Sequence, residues 1–160
     1  MNTESKTAAG AAVQANVEEA VPFFSVSDIE KSLQFYVQGL GFEVALKWMP
    51  EGRIRWCRLQ NGGAGLMLQE FGKTGLNTSV PAGKAGVGVS VCFTCKDALA
   101  IYRQAKQNGL VPKEPFVGNG LWVTSFSDPD GYRIDFDSPT DVPEETTLLQ
   151  WEASHRPSSR

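Results

Sequence analysis

The chain has 160 residues, 41% of them hydrophobic, and a formal net charge of −3. That is enough apolar material for one packed core and too little positive charge to neutralise a phosphate backbone, which sets nucleic acid aside as a partner. No run approaches the ~20 consecutive apolar positions that a bilayer span requires, and no basic stretch followed by an apolar one opens the chain, so a cytoplasmic protein without a membrane partner is expected.

In chain order, residues 1–19 are rich in Ala, Thr, Ser and Glu and carry no aromatic side chain, which reads as a mobile tail. Residues 21–26 read as a strand, with Pro22 near its start where a missing N–H is tolerated. Ser27 or Asp28 then caps a helix over 29–39, with Ile29, Leu33, Tyr36 and Val37 at helical spacing and Gly39 or Gly41 supplying the stop. Strands are expected over 42–48, 54–59 and 66–71, separated by Pro50-Glu51-Gly52 and Asn61-Gly62-Gly63. This first unit, 20–71, has the order βαβββ.

Residues 72–86 are dominated by Gly, Thr, Ser, Asn and Pro and read as a linker. The order then repeats over 87–138. A strand over 87–94 and a helix over 97–108, with Leu99, Tyr102 and Ala105 inward, lead into strands over 111–117, 121–127 and 132–137. Asp128-Pro129-Asp130-Gly131 is a turn, because Pro presets φ and Gly accepts a positive one. The extension 139–160 is expected to hold a short helix, capped within Asp141-Val142-Pro143-Glu144 and running through Trp151, before a polar end.

The echo is visible residue by residue: Asp28, Phe35-Tyr36 and Gly39-Leu40-Gly41 in the first unit answer to Asp97, Ile101-Tyr102 and Asn108-Gly109-Leu110 in the second. Such doubling means two similar supersecondary units. Cysteine use adds a constraint. Cys92 and Cys95 fall on one expected strand at a spacing that sends them to opposite faces, so they read as reduced core or cleft residues rather than a zinc knuckle or disulfide.

Val26-Ser27-Asp28-Ile29-Glu30-Lys31-Ser32-Leu33-Gln34-Phe35-Tyr36, Leu40-Gly41-Phe42 and Asp128-Pro129-Asp130-Gly131-Tyr132-Arg133-Ile134-Asp135-Phe136 together resemble the vicinal oxygen chelate superfamily over about residues 20–138. That group contains glyoxalase I, extradiol dioxygenases, fosfomycin-modifying enzymes and bleomycin resistance proteins. The resemblance implies an α+β fold of two βαβββ modules, whose curled mixed sheets surround a cleft that a homodimer frequently completes. The opening Val21-Pro22-Phe23-Phe24-Ser25-Val26-Ser27-Asp28, with no His, looks most like the bleomycin resistance branch.

Metal-dependent members take His, Gln or Glu ligands from the first and last strand of each module. Counted from Asp28 and Asp97, the first-strand positions fall on Val21 and Ser90, and the last-strand positions on Met67 and Asp135. Of the N and O donors that a divalent ion needs, only the Asp135 carboxylate is present. Glu70 has the parity of Leu66 and Leu68, which turns it toward the helix. The single His, His155, lies in the polar C-terminal extension, so no catalytic pair with Ser or Cys is expected in the core. No metal and no cofactor are therefore expected. Asp135 remains the one candidate catalytic group, as a base or as an anchor for a cation, beside the plain reading of a solvated polar strand.

Strand parity gives a cleft surface. With Leu59, Leu66, Leu68, Ile134 and Phe136 turned to the helices, the opposite faces carry Phe23, Ser25, Trp56, Arg58, Met67, Gln69, Ser90, Cys92, Thr94 and Asp135, with Trp48 nearby. Trp122 is either core or cleft. An aromatic, mainly apolar lining with a few polar anchors suits a small organic ligand, planar and either cationic or neutral. The expected function is metal-free binding of such a compound, as drug or metabolite sequestration. The alternatives are a lyase, isomerase or dioxygenase with unusual metal ligands, or a dimeric domain kept for interaction alone.

Overall fold

A computed structural model describes residues 16–72 and 83–155. The first strand, β1 (Phe23–Val26), is followed by Asp28, whose carboxylate accepts hydrogen bonds from the N–H groups of Glu30 and Lys31 and so caps α1 (Ile29–Leu33). The helix then widens into a π-helical segment, Gln34–Gly39, in which the N–H of Leu40 reaches the carbonyl of Phe35 at 3.0 Å and that of Phe42 the carbonyl of Tyr36 at 2.9 Å. The regular helix expected over 29–39 is thus half π. The adjacent Phe35 and Tyr36 are both buried in that segment, their rings 4.9 Å apart edge to face.

Three strands complete the first sheet: β2 (Glu43–Trp48), β3 (Trp56–Asn61) and β4 (Ala64–Glu70), in the order β1-β4-β3-β2. The second sheet repeats that order as β5-β8-β7-β6, from β5 (Ser90–Thr94), β6 (Phe116–Gly118), β7 (Leu121–Ser127) and β8 (Arg133–Pro139). In each sheet the first strand runs parallel to the last and the other pairings are antiparallel. Between β5 and β6 lies α2 (Ala98–Gln107), capped by the Asp97 carboxylate on the N–H of Ala100 at 2.9 Å. Two four-stranded mixed sheets, neither closed, give the expected paired βαβββ architecture.

Several expected boundaries move. β1 starts at Phe23, which leaves Val21 and Pro22 outside it, and β5 starts at Ser90, with 83–88 in bends and turns. The strand expected over 111–117 shrinks to Phe116–Gly118, because Pro112 and Pro115 cannot donate to a ladder. The final helix, α3 (Leu148–Ser154), is capped at Thr147 in a reciprocal box with Gln150 rather than within 141–144. The tail residues 1–15, the linker residues 73–82 and the last five residues lie outside the described segments.

The two sheets share one core. Leu59, Leu66, Leu68, Ile134 and Phe136 are all buried, in one cluster with Phe24, Ile29, Tyr36, Phe42, Phe93 and Phe126. Across the halves, Phe24 stacks on Tyr132 at 4.2 Å and Phe42 packs against Phe93 at 5.6 Å. The Tyr36 hydroxyl donates to Asp128 at 3.0 Å, and the Tyr132 hydroxyl to the carbonyl of Ser25 at 3.1 Å. Trp122 belongs to a second buried cluster with Leu99, Val117 and Leu148, edge-on to Trp151, and is a core residue.

Candidate functional site

Because the helix-side faces of both sheets look into the shared core, their opposite faces lie on the outside. On the first sheet, register aligns the outward positions in cross-strand rows, of which one holds Glu43, Gln60 and Gly65 and two others carry the apolar groups. The first of these two is Leu46, Arg58, Met67 and Phe23; the next is Trp48, Trp56, Gln69 and Ser25. A bulge between Val44 and Leu46 sets β2 in this alignment. Leu46, Trp48 and Phe23 remain 58%, 57% and 50% exposed, so the face is an open apolar surface of contiguous aromatic and aliphatic groups.

The candidate residues therefore divide. Phe23, Trp48, Trp56, Arg58, Met67 and Gln69 come together on the first sheet. Cys92 and Asp135 pair with each other across β5 and β8 on the outer face of the second. The single cleft expected from strand parity is not assembled within one chain, because the core separates the two outer faces. Leu46 completes the first row and was not among the expected residues; its alternation with Trp48 along β2 was the available signal.

Asp135 is 4% exposed, and both its carboxylate oxygens lie 3.0 Å from Nε of Arg133. The Arg133 guanidinium, 48% exposed, pairs with this carboxylate. Neighbouring Ser125, paired with Asp135 across β7 and β8, is buried as well. Glu70 is likewise committed: its carboxylate takes Arg55 at 2.8 Å and Arg53 at 3.0 Å and faces the N–H of Ile29 at the start of α1. It ties β4 to the β2–β3 connection and to the helix.

The metal positions fail the same test in three dimensions. Register places Phe23 opposite Met67, Cys92 opposite Asp135 and Ser90 opposite Arg133. Apart from the Cys92 thiol and the Arg-bound carboxylate, these side chains offer no donor suited to a divalent ion. Among the described residues no group of three or more His, Cys, Asp and Glu is placed to hold one. The residues present do not fit the metal centre of the resembled enzymes. His155 stacks on Trp151 at 4.7 Å at the end of α3. Cys57 is buried, Cys95 partly buried and Cys92 exposed, all as free thiols. A groove of about 680 Å³ runs between the Asn61–Ala64 turn and residues 92–97; of the expected cleft residues, Cys92 and Thr94 reach it.

Doubled open sheets in 1-4-3-2 order, packed on one shared core, define a paired βαβββ class of protein. Residues 18–136 match the family described as Glyoxalase/Bleomycin resistance protein/Dioxygenase superfamily, and the chain belongs to it. The fold resembles that of TioX from Micromonospora sp. ML1, with a TM-score of 0.62 and 20% identity over 77% of this chain and 99% of that one. It also resembles TnmS3, an antibiotic binding protein from Streptomyces sp. CB03234, with a TM-score of 0.58 and 23% identity over 79% and 100% of the two chains. A glyoxalase/bleomycin resistance protein from the same organism gives 0.58 and 23% over 75% and 99%. The search of curated proteins by sequence finds no match.

Proposed function

We propose that this protein binds a small planar organic compound on the outer face of its first sheet, without a metal, and sequesters it as a drug or metabolite. The observation that carries this reading is the pair of cross-strand rows holding Phe23, Leu46, Met67, Trp48 and Trp56 in one exposed surface. Flat aromatic groups with a few polar anchors among them suit an aromatic ligand. The antibiotic binding protein of like fold is in keeping with this reading.

A flat wall cannot surround a ligand, whereas small-molecule sites bury about 70–90% of their ligand. A homodimer supplies the missing wall by setting a second copy over this open face. Three free thiols suit the reducing cytoplasm. Calorimetry against a panel of aromatic metabolites and bleomycin-type compounds tests the reading. At least one should bind, with affinity at least about tenfold weaker for Trp56→Ala, equivalent to roughly 1.4 kcal/mol. Failure of the whole panel to bind, or binding indifferent to Trp56→Ala, would overturn it.

A further inference from the structure

We infer that the compound held on this face is a planar aromatic anion, whose carboxylate takes the place of the Glu19 carboxylate on Arg58; the inference rests on the binding reading above. Arg58 is the one basic side chain that the described register places on the outer face of the first sheet, in the row with Leu46, Met67 and Phe23 and beside the row with Trp48 and Trp56. A positive charge amid aromatic side chains is a composite site: flat surface for a ring system and an anchor for its acid group.

Two features show the guanidinium to be open to exchange. First, it lies along the strand at Gly65, where an added Cβ would stand 3.6 Å from Nη2 and 3.7 Å from Nε, so the glycine lets it extend across the face with no side chain gripping it there. Second, its one hydrogen bond among the described residues is from Nη2 to the Glu19 carboxylate, at 2.7 Å. Glu19 is 56% exposed and sits in the irregular segment before β1. No other hydrogen bond among the described residues holds 16–20. A pair between a guanidinium 29% exposed and a carboxylate 56% exposed on a loosely tethered segment is weak and screened by salt.

Glu19 therefore acts as a tethered stand-in for the ligand's acid group. It engages one of the five N–H donors of Arg58, whereas a free carboxylate can take two in parallel. A ring attached to that carboxylate also gains stacking on the tryptophans, which Glu19 cannot provide. The Asp135 carboxylate of the second sheet, by contrast, is already paired with Arg133.

Calorimetry of the full chain with 2-naphthoate, its neutral isostere 2-naphthamide and the cation 2-naphthylmethylammonium separates these terms. The expected order has 2-naphthoate about tenfold tighter than the other two. Glu19→Gln should tighten 2-naphthoate by about two- to fivefold and leave 2-naphthamide unchanged, and Arg58→Gln should abolish the preference for the acid. Equal binding of acid and amide, tighter binding of the cation, or no response of 2-naphthoate to Glu19→Gln overturns the anion inference while leaving the aromatic face as a binding site. If none of the three binds while a member of the wider aromatic panel does, the anion inference falls and the binding reading stands; if the whole panel also fails, both fall.

Discussion

Tyr36 and Asp128 show how single residues fasten the two halves. Tyr36 is fully buried and donates to the Asp128 carboxylate, which also accepts from the N–H groups of Asp130, Gly131 and Tyr132. Burial pushes the Asp128 carboxyl above its ordinary range, against the pull of Tyr132 N–H and the Tyr36 hydroxyl. Tyr36→Phe removes one donor from a desolvated carboxylate, so it should cost about 1–3 kcal/mol in urea unfolding and raise the Asp128 pKa further, as read by carboxyl NMR titration. Alkaline pH probes the same core. Burial raises the Tyr36 phenol far above its usual 10.0 and pushes the Cys57 thiol from 9.0 up to about 11. Both folded values exceed the unfolded ones, so each group's contribution is whole below its ordinary value and fades as pH rises past it. The urea midpoint should fall between pH 9 and 11, and Cys57→Ala should flatten the first part of that fall.

Among the elements, those whose ends carry their own chemistry were the most legible. β7 occupies the expected 121–127, between the glycine at 120 and the Asp-Pro-Asp-Gly turn. α2 falls one residue inside each expected end because Asp97 and Asn108 act as its caps. Local pattern was least informative where tertiary packing decides. The π segment exists because Phe35 and Tyr36 both enter the core, which a 3.6-residue period cannot express. Apolar spacing alone likewise extended β6 through prolines that preclude pairing. α3 is a short helix whose start depends on one reciprocal cap, in which the Thr147 hydroxyl accepts from the N–H of Gln150. Thr147→Ala should lower stability by about 1 kcal/mol and raise amide exchange in 148–154 before it affects either sheet, as hydrogen-exchange mass spectrometry would show.

For the molecule as a whole, the doubled pattern specified two sheets but not how they face each other. Parity turned Leu59, Leu66, Leu68, Ile134 and Phe136 inward, and all five are buried; on β3 and β4 the burial alternates along the strand as a single core face requires. It could not reveal that both helix-side faces share one core, which puts the aromatic rows and Asp135 on separate sheet faces. Nor could the sequence place Glu19, in an expected tail, against Arg58. The back-to-back packing leaves Phe23, Leu46 and Trp48 uncovered, so sedimentation should show a mass of two chains, and Leu46→Lys should shift it toward one. The most direct test of the aromatic face uses the four tryptophans, of which Trp48 and Trp56 stand on that face while Trp122 and Trp151 pack together in the second cluster. Quenching of tryptophan emission by a bound planar ligand should persist when Trp122 and Trp151 are both changed to Phe, and vanish when Trp48 and Trp56 are. The opposite pattern would place the ligand elsewhere and contradict the account.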